Sequence, residues 1–475
     1  MLTAALLTLA IVTQDQASLR AAPRDSAVQQ AVLWQGDTLE IRGQRMDYLQ
    51  VYDHRRERAG FIHTSQVRML STQPAEAPEL LTVVRFLRDS PGAEALGIGY
   101  TAAYLKAAPA QAIGAEAFDA LGTMAERLAR RASMKHSKST SDVISAHTEV
   151  AAFYGVTLKG YERDGTLQLC YEGDAFRRVL ALPAADAGQR TRAALAVTRH
   201  DCMAVDLHPQ QRLAHDQWRA EVLGKVSASD FAQLPEIDKN RLRLRRAGVS
   251  ASLAFQQARR SEVPTASAQQ ALSELAAVNK AELTDSDSQE YSDTAIRVGA
   301  SRWAAETARP TFAKLTLTTQ PGQAGETCAA LFENTLEGKP GKEPVAKRCT
   351  YGIVWAASAS AHPNGQALAL AVQPLETWRE LWVFRKTAEQ WSIDVLPPAS
   401  SNPELGYVEF AGWVPGGQHM LMARETKLAG RIKRSFEVVR MDTLTADKQA
   451  SDPSLLVAFG KWQDALWKRQ TVSLR

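Results

Sequence analysis

The chain lacks the local patterns by which many enzymes announce their chemistry. No Gly-x-Ser-x-Gly elbow, His-Glu-x-x-His helix, Walker loop or Gly-x-Gly-x-x-Gly turn occurs, so none of the reaction classes built on those motifs is indicated. Cysteine is scarce: four in 475 residues, none spaced Cys-x-x-Cys. That excludes the usual zinc-binding spacings, and no metal, cofactor or catalytic residue is assigned. An excess of one charge is missing too, with 56 basic against 52 acidic side chains. Nucleic acid is therefore not an expected partner, since its binding needs basic residues concentrated on one surface. Long apolar runs are also absent. The N-terminal run from Leu2 to Val12 is too short to cross a bilayer, which takes about 20 residues, so no stable transmembrane segment is expected.

What is present is an ordinary globular composition, 45% apolar and 23% charged, in a chain longer than one core usually supports. The expected fold class is multidomain α+β. It comprises a truncated signal segment over 1–11, a small SH3-like β-barrel over 12–70, an α-helical hairpin domain over 75–306 and an antiparallel β domain over 310–475. The opening MLTAALLTLAIVTQDQA fits the apolar centre of a secretory signal, with Thr8-Leu9-Ala10 as a small-residue cleavage site, although no Lys or Arg precedes it. The alternative is that this run forms the first strand of the following domain. Cys170 and Cys202 fall in one expected domain and Cys328 and Cys349 in another, which suits two local disulfides in a periplasmic or secreted protein. Four buried free thiols are the other reading.

Between residues 12 and 70, "AVLWQGDTLEI", "DYLQVYD" and "AGFIHTSQV" alternate apolar and polar positions as half-buried strands do. Turn signals at Ala22-Pro23, Gly36-Asp37 and Gly60 separate them. With Leu19-Arg20-Ala21-Ala22-Pro23, Gly36-Asp37, Tyr48-Leu49-Gln50-Val51 and Gly60-Phe61-Ile62, the stretch resembles the bacterial SH3-like domain. Two aromatic positions depart from that family's usual tryptophan. The resemblance implies a module that docks peptides or cell-wall material, with Trp34, Tyr48, Tyr52 and Phe61 as candidate groove residues. Filling the core is the commoner role for such rings.

From Pro74 the apolar period changes to 3.6, with Leu80, Val83, Val84 and Leu87 on one face and Phe118, Leu121, Met124 and Leu128 on another. Small residues in "GAEALGIGYTAAYLKAAPAQAIGAEAFDALG" permit close helix contacts, and "DGTLQLCYEGD" predicts a short hairpin around Gly165. The basic run 130–142 reads as a solvated linker. Arg241, Arg243, Arg245 and Arg246 surround their helix and predict surface ion pairs. "LTDSDSQEYSD" lacks the glycine and glutamate of a calcium loop, and Thr284 or Ser286 capping a helix explains it better. His200-Asp201-Cys202 sets an imidazole beside a thiol, but a nucleophile and its base normally meet through the fold, not in sequence.

Beyond Pro310 the strand pattern returns. Two segments, turning at His362-Pro363-Asn364-Gly365 and Val414-Pro415-Gly416-Gly417, look alike and resemble blades of β-propeller proteins. Roughly 165 residues hold fewer units than the usual four or more blades, so a compact antiparallel sheet with blade-like hairpins is expected, closed by strands from "AFGKWQDALWKRQTVSLR". Seven of the ten tryptophans fall between Trp355 and Trp467. Trp378, in a polar run, is the one expected to be exposed as a stacking plate for glycan. The resulting functional expectation is a non-enzymatic cell-envelope binding or scaffold protein with an envelope protein, peptide or peptidoglycan as partner. The alternative is a cell-wall hydrolase whose two carboxylates converge only in the fold.

Overall fold

The computed structural model describes residues 8–163, 166–204, 206–388, 390–400, 405–428 and 430–470. It is mixed α and β, with an N-terminal antiparallel sheet, a helical middle region and a C-terminal sheet. Two compact units divide it. The first takes Met1–Leu207 and Val222–Leu234, and the second takes His208–Glu221 and Pro235–Arg475.

The first unit opens with β1 (Leu9–Val12), β2 (Ala17–Arg20), β3 (Gln29–Leu33), β4 (Thr38–Arg45), β5 (Tyr48–Asp53), β6 (Arg58–His63) and β7 (Val67–Leu70). They form one antiparallel sheet in the order β3-β2-β6-β5-β4-β1-β7. Val12, Leu19, Leu33, Leu39, Val51 and Ile62 are buried together on its inner face. The expected barrel is corrected: the last strand pairs with β1, not with β3, so among the described residues the sheet stays open at both ends.

Strand β1 takes the last four residues of the apolar N-terminal run, Leu9–Val12. Ala10 and Val12 enter the sheet's own core, whereas Ile11 points into the helical core beside Leu80, Ile98 and Met124. A strand buried on both faces shows no alternation and reads as a continuous apolar stretch. Residues 9–11 of the expected signal segment therefore sit in the sheet, while residues 1–7 lie outside the described residues.

The Gly36-Asp37 turn is where sheet meets helices. Gly36 has φ +90°, and a Cβ there would lie 2.5 Å from the Ala95 carbonyl oxygen, so only glycine fits. The Tyr154 hydroxyl donates to the Gly36 carbonyl at 2.6 Å. Burial pushes that hydroxyl's pKa up to about 12, so it remains a donor at any physiological pH.

The helices of this unit are α1 (Ala77–Arg88), α2 (Glu94–Ala107), α3 (Ala115–Ala132), α4 (Lys138–Phe153), α5 (Asp174–Ala181) and α6 (Ala187–Val197). The small-residue stretch does permit close packing. A Cβ on Gly97 would fall 2.2 Å from the Met124 sulfur. Strands β8 (Leu158–Arg163) and β9 (Thr166–Tyr171) form the expected hairpin, and its turn at Gly165 lies outside the described residues. Helix α7 (Pro209–Gly224) belongs to the second unit as far as Glu221, and α8 (Ala228–Gln233) returns to the first.

In the second unit, α9 (Glu236–Arg259), α10 (Thr265–Ala276) and α11 (Asp285–Ser301) precede the sheets. Thr284 caps α11, its hydroxyl accepting from the Asp287 N–H, so the calcium-like stretch is a helix start. Arg241 and Arg243 do form ion pairs, with Asp287 and Glu236, but the Asp287 carboxylate is buried, so the first is not the surface pair expected. Strands β10 (Leu315–Pro321), β11 (Thr327–Glu333) and β12 (Ala346–Thr350) form a small sheet. A nine-stranded sheet follows, built from β13 (Ile353–Val354), β14 (Ser360–Ala361), β15 (Ala367–Leu375), β16 (Trp378–Thr387), β17 (Gln390–Leu396), β18 (Leu405–Trp413), β19 (His419–Leu428), β20 (Arg431–Arg440) and β21 (Ala446–Ala450). The two blade-like turns meet in space, Gly417 lying against the His362 ring.

The expected closing strands are instead two short helices, α12 (Val457–Trp462) and α13 (Ala465–Gln470). Phe459 and Trp467 form edge-to-face contacts with each other and with Phe436 of β20, and this ring cluster fixes both helices against the sheet. Residues 471–475 lie outside the described residues. Both disulfides are present, Cys170–Cys202 and Cys328–Cys349, the second joining directly opposed residues of β11 and β12. No helix among the described residues is long and apolar enough to cross a membrane.

Candidate functional site

Strand register decides which of the sequence-nominated aromatics share a surface. In the β5–β6 pair, Tyr48 faces His63, Gln50 faces Phe61, and Tyr52 faces Ala59. Because side chains alternate, Tyr48, Tyr52 and Phe61 lie on the face opposite Leu49, Val51 and Ile62, which fill the core. Tyr52 and Phe61 remain half-buried. The Arg42 guanidinium sits 4.1 Å over the Tyr52 ring, and His54 meets that ring edge-on.

Tyr48 is corrected as a surface residue. Its hydroxyl donates to Asp25 at 2.5 Å, the loop carrying Asp25 folds over it, and it is buried. That hydrogen bond also raises the phenol's pKa. Trp34 lies in the turn after β3, outside the β5–β6 pair, where its backbone N–H donates to Asp37. Trp378 is corrected too. It begins β16, an interior strand between β15 and β18, and is only 5% exposed. The polar residues around it misled because its neighbour Arg379 also turns inward, completely buried.

Buried charge is abundant, and arginine neutralises it. In the first unit Arg127 donates to Glu94 at 2.6 Å, Arg131 pairs with the same carboxylate, and Arg192 holds Asp119. Burial alone would raise the Glu94 pKa, but the Gly92 N–H and the two arginines hold it below its ordinary value. In the second unit Glu409 accepts from Arg302 and Trp303 at 2.5 and 3.1 Å and pairs with Arg379. Arg379 also donates to the Gly299 carbonyl at 2.8 Å, near the C-terminus of α11, where a cation is favoured. Asp216 is gripped by Arg212 and Arg219 and accepts from Ser252. Burial brings the Arg219 pKa down to about 10. His147 of α4 lies 2.7 Å from Asp15 through Nε2, but its buried Nδ1 has no partner among the described residues.

The second unit also contains a cleft of about 590 Å³, none of whose residues the sequence singled out as a site. It is walled by the α9–α10 connection, the segment after α11, and residues of β10, β11 and β13. Trp303 and Trp355 line it while their indole N–H groups point away, to Glu409 and to the Gln373 side chain at 3.0 Å. Tyr351 stands at the cleft 58% exposed. Arg259 and Arg309 also line it, and neither makes an ion pair with any described residue. A lone exposed tyrosine and two arginines on distant segments carry no sequence pattern, which is why they were not legible.

No family model, curated protein or solved structure matches this chain.

Proposed function

We propose that the chain is a non-enzymatic cell-envelope binding protein whose N-terminal sheet acts as an SH3-like module docking peptide or cell-wall material. The observation that carries this reading is the pair Tyr52 and Phe61 on the outer face of β5–β6, where the sheet's own core has no use for them. Aromatic side chains there supply large contact area at little entropic cost. The two disulfides support a periplasmic or secreted location, because such bonds persist in oxidising compartments. The hydrolase alternative needs a carboxylic acid with raised pKa. Arginines instead hold the buried Glu94 and Glu409 below the ordinary carboxylate range, and Glu274, which burial raises, has the Arg246 guanidinium 3.9 Å away and accepts from Gln270.

Sedimentation of the full-length chain with insoluble peptidoglycan tests the proposal. The unmodified protein should co-sediment, and a Tyr52→Ala/Phe61→Ala variant should lose about tenfold in affinity, as central aromatic anchors do. Equal retention of the variant, or no retention of either protein, overturns it.

A further inference from the structure

We propose that the cleft of the second unit is a binding site for an acidic glycan, a sugar chain bearing carboxylates. The site is independent of the N-terminal sheet. Its volume, about 590 Å³, lies within the roughly 300–1,000 Å³ of small-molecule sites.

Three features of the lining select the ligand. First, Trp303 and Trp355 spend their only polar atoms inside the protein, so they offer the cleft ring carbon alone. Their anchorage is rigid. Glu409, the acceptor for Trp303, is locked by Arg302 and Arg379, and Gln373, the acceptor for Trp355, donates onward to Ser301 and the Glu376 carbonyl. Both rings are largely buried, 5% and 7% exposed, so they form a fixed floor, and the exposed Tyr351 supplies the apolar surface suited to the C–H face of a sugar ring; a floor held in place this way costs little to order on binding.

Second, Ser261, Thr265, Thr307, Thr319 and Thr327 all line the cleft, and none of their hydroxyls makes a side-chain hydrogen bond with described residues, apart from Thr319's neighbour Gln320 bonding Thr318 outside the cleft. A hydroxyl both donates and accepts, which matches the mixed demand of a sugar's ring edge. Third, Arg259 and Arg309 lack carboxylate partners, whereas Glu262 on the same wall is already tied to Arg260 at 2.9 Å. Glu306 is the other carboxylate among the described lining residues. Guanidinium forks recognise carboxylates in bidentate fashion, so the charge selects an acidic sugar over a neutral one. An acidic peptide shares the carboxylates but not the hydroxylated ring.

Titration calorimetry on the full chain distinguishes these cases, with a panel of uronic-acid trisaccharides, linkage-matched neutral trisaccharides and triglutamate as probes. At least one uronic-acid trisaccharide should bind, about tenfold more tightly than its neutral counterpart. Tyr351→Ala and Arg309→Gln should each weaken it about tenfold, while Tyr52→Ala/Phe61→Ala leaves it unchanged. Both cleft substitutions are at exposed positions, and unaltered thermal unfolding of the variants confirms that folding is intact. The inference is overturned if no acidic trisaccharide binds, if neutral sugars bind equally, if triglutamate binds as tightly, or if the two cleft variants bind like the unmodified chain.

Discussion

Glu94 shows how single residues hold this molecule. Its carboxylate is completely buried, yet two arginines and the Gly92 N–H stabilise the charged form. Its folded pKa lies below the ordinary 4.5. The stability it contributes is therefore present above about pH 4.5 and is lost as pH falls through the lower, folded value. Urea unfolding followed from pH 6 to pH 3 should show stability dropping at the acid end. Glu94→Gln should cost on the order of 3 kcal/mol at pH 7, because it leaves two guanidinium groups facing a neutral amide, and should flatten the acid drop. An equally steep drop in the variant would assign the acid sensitivity elsewhere. Nothing in sequence marks such a residue. Glu94 and Arg131 are 37 positions apart and Arg302 and Glu409 are 107 apart, so pairing of this kind becomes visible only once the chain has folded.

Among the elements, β1 carries more than its four residues imply, since it pairs with β4 and β7 and presents opposite faces to two cores. Ile11→Ala should destabilise the first unit by about 3 kcal/mol, the usual scale for emptying a core position. A denaturant midpoint indistinguishable from that of the unmodified chain would show that β1 is dispensable. Elements with a local signature were legible in sequence. The amphipathic α1 and α3, the Thr284 cap, the β8–β9 hairpin and both disulfide pairings follow from spacing within a few tens of residues. Elements defined by what covers them were not. The two-sided strand β1 reads in sequence as part of a continuous apolar run, the interior strand β16 begins in a polar run, and α12 and α13 take helical form around a cluster of rings. Alternation was legible in sequence for the strand that carries Tyr52, but which face its rings take was not, and the burial of Tyr48 depended on the loop that carries Asp25.

At the scale of the whole molecule, the chain leaves the first unit after Leu207, contributes His208–Glu221 to the second, returns for Val222–Leu234, and only then completes the second. Within the second unit, Asp216 accepts from Ser252 and Arg212 bonds Glu376. A fragment spanning 208–475 should therefore unfold cooperatively, whereas one spanning 235–475, missing those partners, should show a broadened or absent transition in thermal denaturation. Equal cooperativity in the two fragments would show that the α7 segment is ornamental.

This threading also constrains the order of events during synthesis. Leu234 emerges after residues 208–221, so the first unit is completed only while a segment of the second is already outside the ribosome without Ser252 or Glu376 to receive it. For that interval Asp216 and its two arginines are solvated, not buried, and this charged helix can wait in water without exposing a large apolar surface to aggregation.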